Sequence, residues 1–441
     1  MTTAQDRTAQ VRDQKAAIPA IYGSIDFETV PLRFTTDPEV PSQLRTELAD
    51  QRPRLLANKE LVSLIADYTM LGDRVGDAYA ALMPEYGFKR LVDMLVEACQ
   101  RGVENVEDAP QELVDFIADM TQIPEWIDMN LVKQGAALER NSAAHVLHYA
   151  IRGGLIGTFM NKYTALPMAI TGAFSERTAG KRVKETAAFF TSSVLPGALE
   201  PGGTGFHAAA MVRLMHSMVR INIMKRGRWN SSEYGIPIPQ ADQMPAGNIG
   251  LFQLSLGVLA GGRDHFNPDE RARVEFGNYR CHLLGLPRDL LPVTPREIVD
   301  VMATRYGTLR KDWDDETCGQ LLVSTLNASF EPKDTLGARI RARFEPSFSK
   351  VFFARIQLNG DTDRAAAMGV DITPADKLRA LAVGVYIKAR MLPFDIAHRI
   401  PAVRDIADRR LTHKVSKVLE RYAGAEFRTD DSNYTPTTDA H

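Results

Sequence analysis

Cysteine is nearly absent from this chain. There are three in 441 residues, Cys99, Cys281 and Cys318, isolated from one another and odd in number. No C-x-x-C pair occurs, so neither a zinc module nor a disulfide framework is supported, and a reducing compartment suits the count. Charge of either sign is not in excess. The balance of 53 basic and 55 acidic residues argues against a nucleic-acid partner, which usually requires a basic surplus. Long apolar runs are missing too. Residues 151–174 are interrupted by Arg152 and Lys162, and residues 248–260 are too few to cross a bilayer, so no membrane span is expected. The first twenty residues carry no apolar signal core and no twin arginine, which reads as a cytoplasmic protein. Alternating β-branched runs are scarce as well, which excludes a sheet-based architecture.

What is present is helical periodicity. Apolar residues recur at three- and four-residue spacing over residues 58–102, 111–121, 126–150, 181–195, 206–226, 248–260, 267–284, 294–306, 311–326 and 374–391. The expectation is an all-α protein with one large helical domain, residues 51–427. Residues 1–50, dotted with Pro31, Pro38 and Pro41, read as an extended arm, and residues 332–348 as a second arm. The polar stretch 428–441 reads as a disordered tail. A monomer is expected.

Two histidine settings stand out among nine. His145 and His148 lie three apart, a spacing that can hold a metal, but a zinc or iron site wants a third ligand and no H-E-x-x-H or E-x-x-H pattern supplies one. Hydrogen-bonded core histidines are the plainer reading. His216 lies in MVRLMHSMVR (211–220) on an apolar helix face, with Arg213 three residues before it and Arg220 four after. That company fits a haem. Imidazole binds the iron, Met and Val wall the macrocycle, and arginines hold the propionates. The alternative is a core histidine flanked by two surface arginines.

The longer block 166–220 resembles the latex clearing proteins, haem-dependent rubber oxygenases, and the wider family of the fungal endoplasmic-reticulum oxygenase of mycophenolic acid biosynthesis. The carrying residues are a Thr171–Gly172 turn, Arg182 and Thr186 at i, i+4, and a loop with Pro196, Pro201, Gly202, Gly203 and Gly205. The V-R-L-M-H-x-x-V-R helix follows, then GIPIPQAD (235–242) and YRCHLLGLPRDLLPVTPREI (279–298). The likeness runs over roughly residues 140–302. It implies a globin-like helical core around a b-type haem, with His216 as proximal iron ligand and Arg182 and Thr186 on the distal side. It also implies dioxygen and a small hydrophobic, isoprenoid- or alkene-like substrate. Arg213 and Arg220 would hold propionates or orient the His216 helix, with Lys225, Arg226 and Arg228 as second candidates. Phe189, Phe190 and the Met-rich face would wall an apolar pocket.

Two positions depart from that pattern. Where the family can carry a lysine just before the threonine, this chain has Glu185, a candidate catalytic acid. Where the family's proposed base lies near the TG turn, this chain has Ile170, and the nearest acids are Glu176 and Glu185. Glu185 would serve a peroxidase or dehydrogenase, the competing enzymatic reading. A non-catalytic haem-binding protein and a non-haem metal site on His145 and His148 complete the alternatives.

Overall fold

The computed structural model describes residues 3–422 apart from 173, 176, 226, 228 and 330–334. Helices account for the fold, and β pairing among the described residues is confined to isolated antiparallel bridges, Phe34 with Leu309 and Ser42 with Arg310. The all-α expectation therefore holds. The chain forms two compact units. The first is built from the described residues of Met1–Gly135 and Leu199–Asp312, the second from those of Ala136–Ala198 and Trp313–Arg428.

In the first unit the Thr204–Lys225 helix is the central element. Its buried residues, among them Phe206, Met211, Leu214, Met218 and Ile221, occur on nearly every turn, so the helix is enclosed on most of its circumference. The Arg74–Ala81 helix packs closely on it. Gly76 makes the approach possible, since a Cβ there would come within 2.8 Å of the Ser217 hydroxyl. The second unit is organised by the Leu147–Leu155, Ala179–Ser192, Leu336–Gln357, Pro374–His398 and Pro401–Arg421 helices. One apolar cluster joins Ile156, Phe159, Leu322, Phe353 and Val370. Another joins Ile151, Val183, Ala187, Val418 and Tyr422. Arg152 and Glu345, both buried, form a 2.8 Å ion pair, and the Arg152 guanidinium also donates to the carbonyls of Thr325 and Ala328.

Several expected elements are corrected. Residues 1–50 are not extended throughout, because Ala4–Ala17 and Pro19–Tyr22 are helical. Thr3 caps the first of these by accepting from the Asp6 amide, but tertiary contacts hold it: Gln14 donates to the Met70 carbonyl and Arg7 pairs with Asp67. The expected arm at 332–348 is helical from Leu336 onward, and residues 332–334 lie outside the described residues. The expected 126–150 helix is two, Met129–His145 and Leu147–Leu155. The expected 248–260 helix begins earlier, at Gln240, and runs through Pro245. The 311–326 segment opens as a π-helical turn, Asp315–Gly319, before the Gln320–Asn327 helix. The tail at 428–441 lies outside the described residues.

Candidate functional site

His216 is half-buried on the Thr204–Lys225 helix, and its Nδ1 lies 2.8 Å from Gln243 Oε1. Which ring nitrogen carries the proton follows from a chain of hydrogen bonds. The Gln240 amide nitrogen lies 3.2 Å from the Gly72 carbonyl and 3.0 Å from the Gly285 carbonyl, so it must be the donor end of that side chain. Gln240 Oε1 therefore faces Gln243 and accepts from its amide nitrogen at 3.2 Å. That leaves Gln243 Oε1 as the acceptor beside the histidine. The Nδ1–H donates to it, and the lone pair resides on Nε2. Burial pushes the His216 pKa down to about 4, against the opposing effect of the Gln243 bond, with the nearby Arg220 charge acting in the same direction as burial. The imidazole is thus neutral at neutral pH, with its tautomer held by a neighbouring side chain. A metal-ligating histidine needs that state.

The depressed pKa carries a stability consequence. Unfolded, this imidazole takes up its proton near pH 6.5, and folded it waits until about pH 4. Between those values the unfolded chain binds the additional proton. The contribution of His216 is present in full above pH 6.5 and is lost as the pH falls toward 4. Urea unfolding at pH 7 and pH 5 is expected to show a smaller drop in stability for His216→Gln than for the parent protein. Equal drops in the two proteins would remove His216 as a source of acid sensitivity.

Arg213 and Arg220, three residues before His216 and four after it, lie within about 60° of it around the same helix and are buried. Arg213 Nε and Nη2 meet the two Asp73 carboxylate oxygens at 2.5 and 2.8 Å, its Nη1 meets Asp119 at 2.6 Å, and its guanidinium lies over the Phe116 ring. Gly285, at φ +82°, makes room for this pair, since a Cβ would come within 2.7 Å of Arg213 Nε. Arg220 Nε donates to Asp77 at 2.7 Å, Nη1 to the Ile238 carbonyl and Nη2 to the Ser217 hydroxyl. Tyr22 donates to the other oxygen of Asp77. Burial alone would raise the Asp73 carboxyl, but the Arg213 guanidinium holds it below its usual range. Asp77 is pushed up by burial, which Arg220 only partly offsets. Both guanidiniums are thus engaged by carboxylates of the same unit. These bonds tie the helix that carries His216 to Asp73 and Asp77. Of the second candidates, Lys225 is exposed in the last helical turn, and Arg226 and Arg228 lie outside the described residues.

The other expected site residues belong to the second unit. On the Ala179–Ser192 helix, Arg182 Nη1 donates to Glu185 Oε2 at 2.7 Å, and the Thr186 hydroxyl donates to the Arg182 carbonyl at 2.9 Å. Glu185 is buried, and burial raises its pKa against the charges of Arg182 and Lys181. The lysine-to-glutamate departure therefore builds an internal ion pair. Phe189 and Phe190 meet edge-on, 5.2 Å apart. Glu176 lies outside the described residues. An open cavity of about 870 Å³ is lined by Met168, Phe174, Leu321 and Met368, with Asp315 and Glu316 also on its wall.

His145 and His148 do not converge. His145 Nδ1 lies 2.9 Å from the Asn141 side-chain oxygen and its Nε2 3.3 Å from Lys414, whereas His148 Nδ1 bonds the Tyr422 hydroxyl. Among the described residues no group of three or more His, Cys, Asp or Glu could hold a metal ion.

Sequence reasoning missed Gln243, Asp73 and Asp77. Gln243 had a local signal, since it immediately follows the GIPIPQAD run (235–242) already singled out. Asp73 and Asp77, at i, i+4 in GDRVGDAYA, had only the coincidence of two acids on one helix face.

Comparison with curated protein sequences finds no match. The solved structure of latex clearing protein LCP in the closed state is similar, with a TM-score of 0.56 and 17% identity, covering 80% of this chain and 91% of that one. At that identity the likeness speaks for the fold. The family model described as "ER-bound oxygenase mpaB/B'/Rubber oxygenase, catalytic domain" matches residues 143–389, more than half of the sequence. The chain belongs to this family of oxygenases, a family of oxidoreductases.

Proposed function

We propose that this protein is a haem b-dependent oxygenase acting with dioxygen on a small hydrophobic, alkene-bearing substrate, and that His216 Nε2 would hold its iron. The observation that carries the proposal is the Gln240–Gln243–His216 relay, which leaves a neutral imidazole with its lone pair on Nε2. The donor set fits the group. One histidine is what a b-type haem takes from the protein on the proximal side. When bound, the haem iron would supply the electron-transfer chemistry that makes dioxygen reactive toward a carbon–carbon double bond.

The rest is done by side chains. Gln243 holds the Nδ1–H and so sets ring orientation and basicity. Asp73 and Asp77, through Arg213 and Arg220, hold the helix against rotation. On the family pattern, Arg182 and Thr186 are the hydrogen-bond donors for oxygen handling, and Glu185 modulates Arg182. The cavity with Met168, Phe174, Leu321 and Met368 offers apolar walls of a size suited to a small organic substrate.

The test is a visible absorption spectrum of the purified protein supplied with hemin, beside His216→Ala. A Soret band in the parent, lost or shifted in the variant, is the expected result. A parent that takes up no hemin would sink the haem reading, and an unchanged band in the variant would sink the assignment of His216.

A further inference from the structure

The Pro374–His398 helix has two apolar stripes. One is packed: Ala380, Val383 and Ile387 are buried together with Asp376. The other is not. Leu378, Leu381, Val385, Leu392 and Ile396 are each between 50 and 68% exposed. At 100° per residue these five lie within about 60° of one another and on the side opposite the buried row. Scattered exposed apolar residues need no explanation, but five on one line do. The exposed set continues through Ile400 onto Val403 and Ile406, at the start of the Pro401–Arg421 helix.

The charges around this stripe identify its occupant. Residues 374–421 hold eleven Lys and Arg against five Asp and Glu, a local excess of six positive charges in a chain whose overall balance is −2. The remainder of the protein therefore stands at −8, and this segment departs from it in sign. Lys377, Lys388 and Arg399 recur every eleven residues, which in an α-helix returns to nearly the same angle, so they line one edge of the apolar stripe. Asp395 is the acid on that edge, and it accepts from the Asn141 side chain. On the next helix Arg409, Arg410, His413 and Lys417 are exposed. A second copy of this surface would bring like charges together. An anionic bilayer would meet both features at once, with the apolar side chains entering the acyl boundary and the cations meeting lipid phosphates.

We infer that the Pro374–His398 and Pro401–Arg421 helices form a peripheral docking face for a bilayer surface rich in anionic phospholipid. No helix among the described residues is long and apolar enough to cross a membrane, so this attachment lies in the plane of the interface. The inference stands apart from the haem reading, because it uses no residue of the His216 site.

Co-sedimentation of the full-length protein with vesicles of mixed phosphatidylcholine and phosphatidylglycerol tests it. Binding is expected, weakened by added salt and much reduced on phosphatidylcholine alone. Leu381→Glu with Val385→Glu should abolish binding. Because both side chains face solvent, circular dichroism and the melting temperature should match those of the parent protein. Reversing Lys377, Lys388 and Arg399 to Glu should weaken binding at least roughly 100-fold, at about fivefold per basic residue. Three results would overturn the inference: no binding to the anionic vesicles, equal binding to both lipid compositions, or a parent that sediments as a dimer dissociated by the Leu381/Val385 variant.

Discussion

Replacing Arg220 by methionine is expected to lower the unfolding free energy by about 3–5 kcal/mol, the usual cost of removing one partner of a buried ion pair. Arg220 and Asp77 both have fully buried side chains, 2.7 Å apart. The loss would leave the buried Asp77 carboxylate with the Tyr22 and Ser217 hydroxyls as donors and with the Asp73 charge close by. A carboxylate so placed takes up a proton more readily. The deficit of the variant should therefore grow as pH rises and shrink as pH falls, since the folded state then binds the proton more tightly than the unfolded chain. Urea unfolding across that range measures both effects. Adding Asp77→Leu to Arg220→Met should recover much of the lost stability, because an apolar pair of similar volume leaves no buried charge. A single-variant loss below about 1 kcal/mol would mean that water or another donor reaches Asp77.

Gln243→Leu is expected to weaken hemin affinity by about 10- to 100-fold, the usual consequence of removing the outer partner of a ligating histidine. The substitution deletes the acceptor for the His216 Nδ1–H. The ring is then free to turn, and the tautomer with its proton on Nε2, which cannot bind iron, is no longer disfavoured. Gln243→Glu keeps an acceptor in place and should hold affinity within a few-fold of the parent. Hemin titration followed at the Soret band checks both. A Gln243→Leu affinity within about twofold of the parent would show that the relay from Gly285 and Gly72 through Gln240 does not orient His216. It would leave His216 itself as a ligand to be judged by the His216→Ala spectrum.

These two predictions concern residues of different legibility. Arg220 stands in the sequence four residues after His216, where the helical repeat shows it on the same helix and even fixes the angle between them. Its partner is another matter. Asp77 is 143 residues upstream and Asp73 is 140 residues before Arg213. Nothing in either local stretch says that the Arg74–Ala81 helix will lie against this one, nor that Gly76 and Gly285 are what let it come close enough. The carboxylate partners of the arginines were therefore not legible in the sequence. A guanidinium beside a histidine is read as available until the fold shows a carboxylate already holding it. Gln243 is an intermediate case, next to the GIPIPQAD run but given its task only by the fold that brings it to His216.

Sequence alone determined the helical class, the His216 helix with its arginines, the Arg182–Glu185–Thr186 face and the family, because all of these depend on spacing along one backbone or on an ordered set of short motifs. The N-terminal helix at Ala4–Ala17 was hidden, since its polar residues gain stability from Met70 and Asp67 rather than from their own periodicity. Tertiary structure alone decided which charges are spent internally, which imidazole nitrogen keeps its lone pair and which apolar stripe of the Pro374–His398 helix is left facing water. Each depends on what a side chain meets across the fold, and short-range physics along the chain carries no record of that meeting.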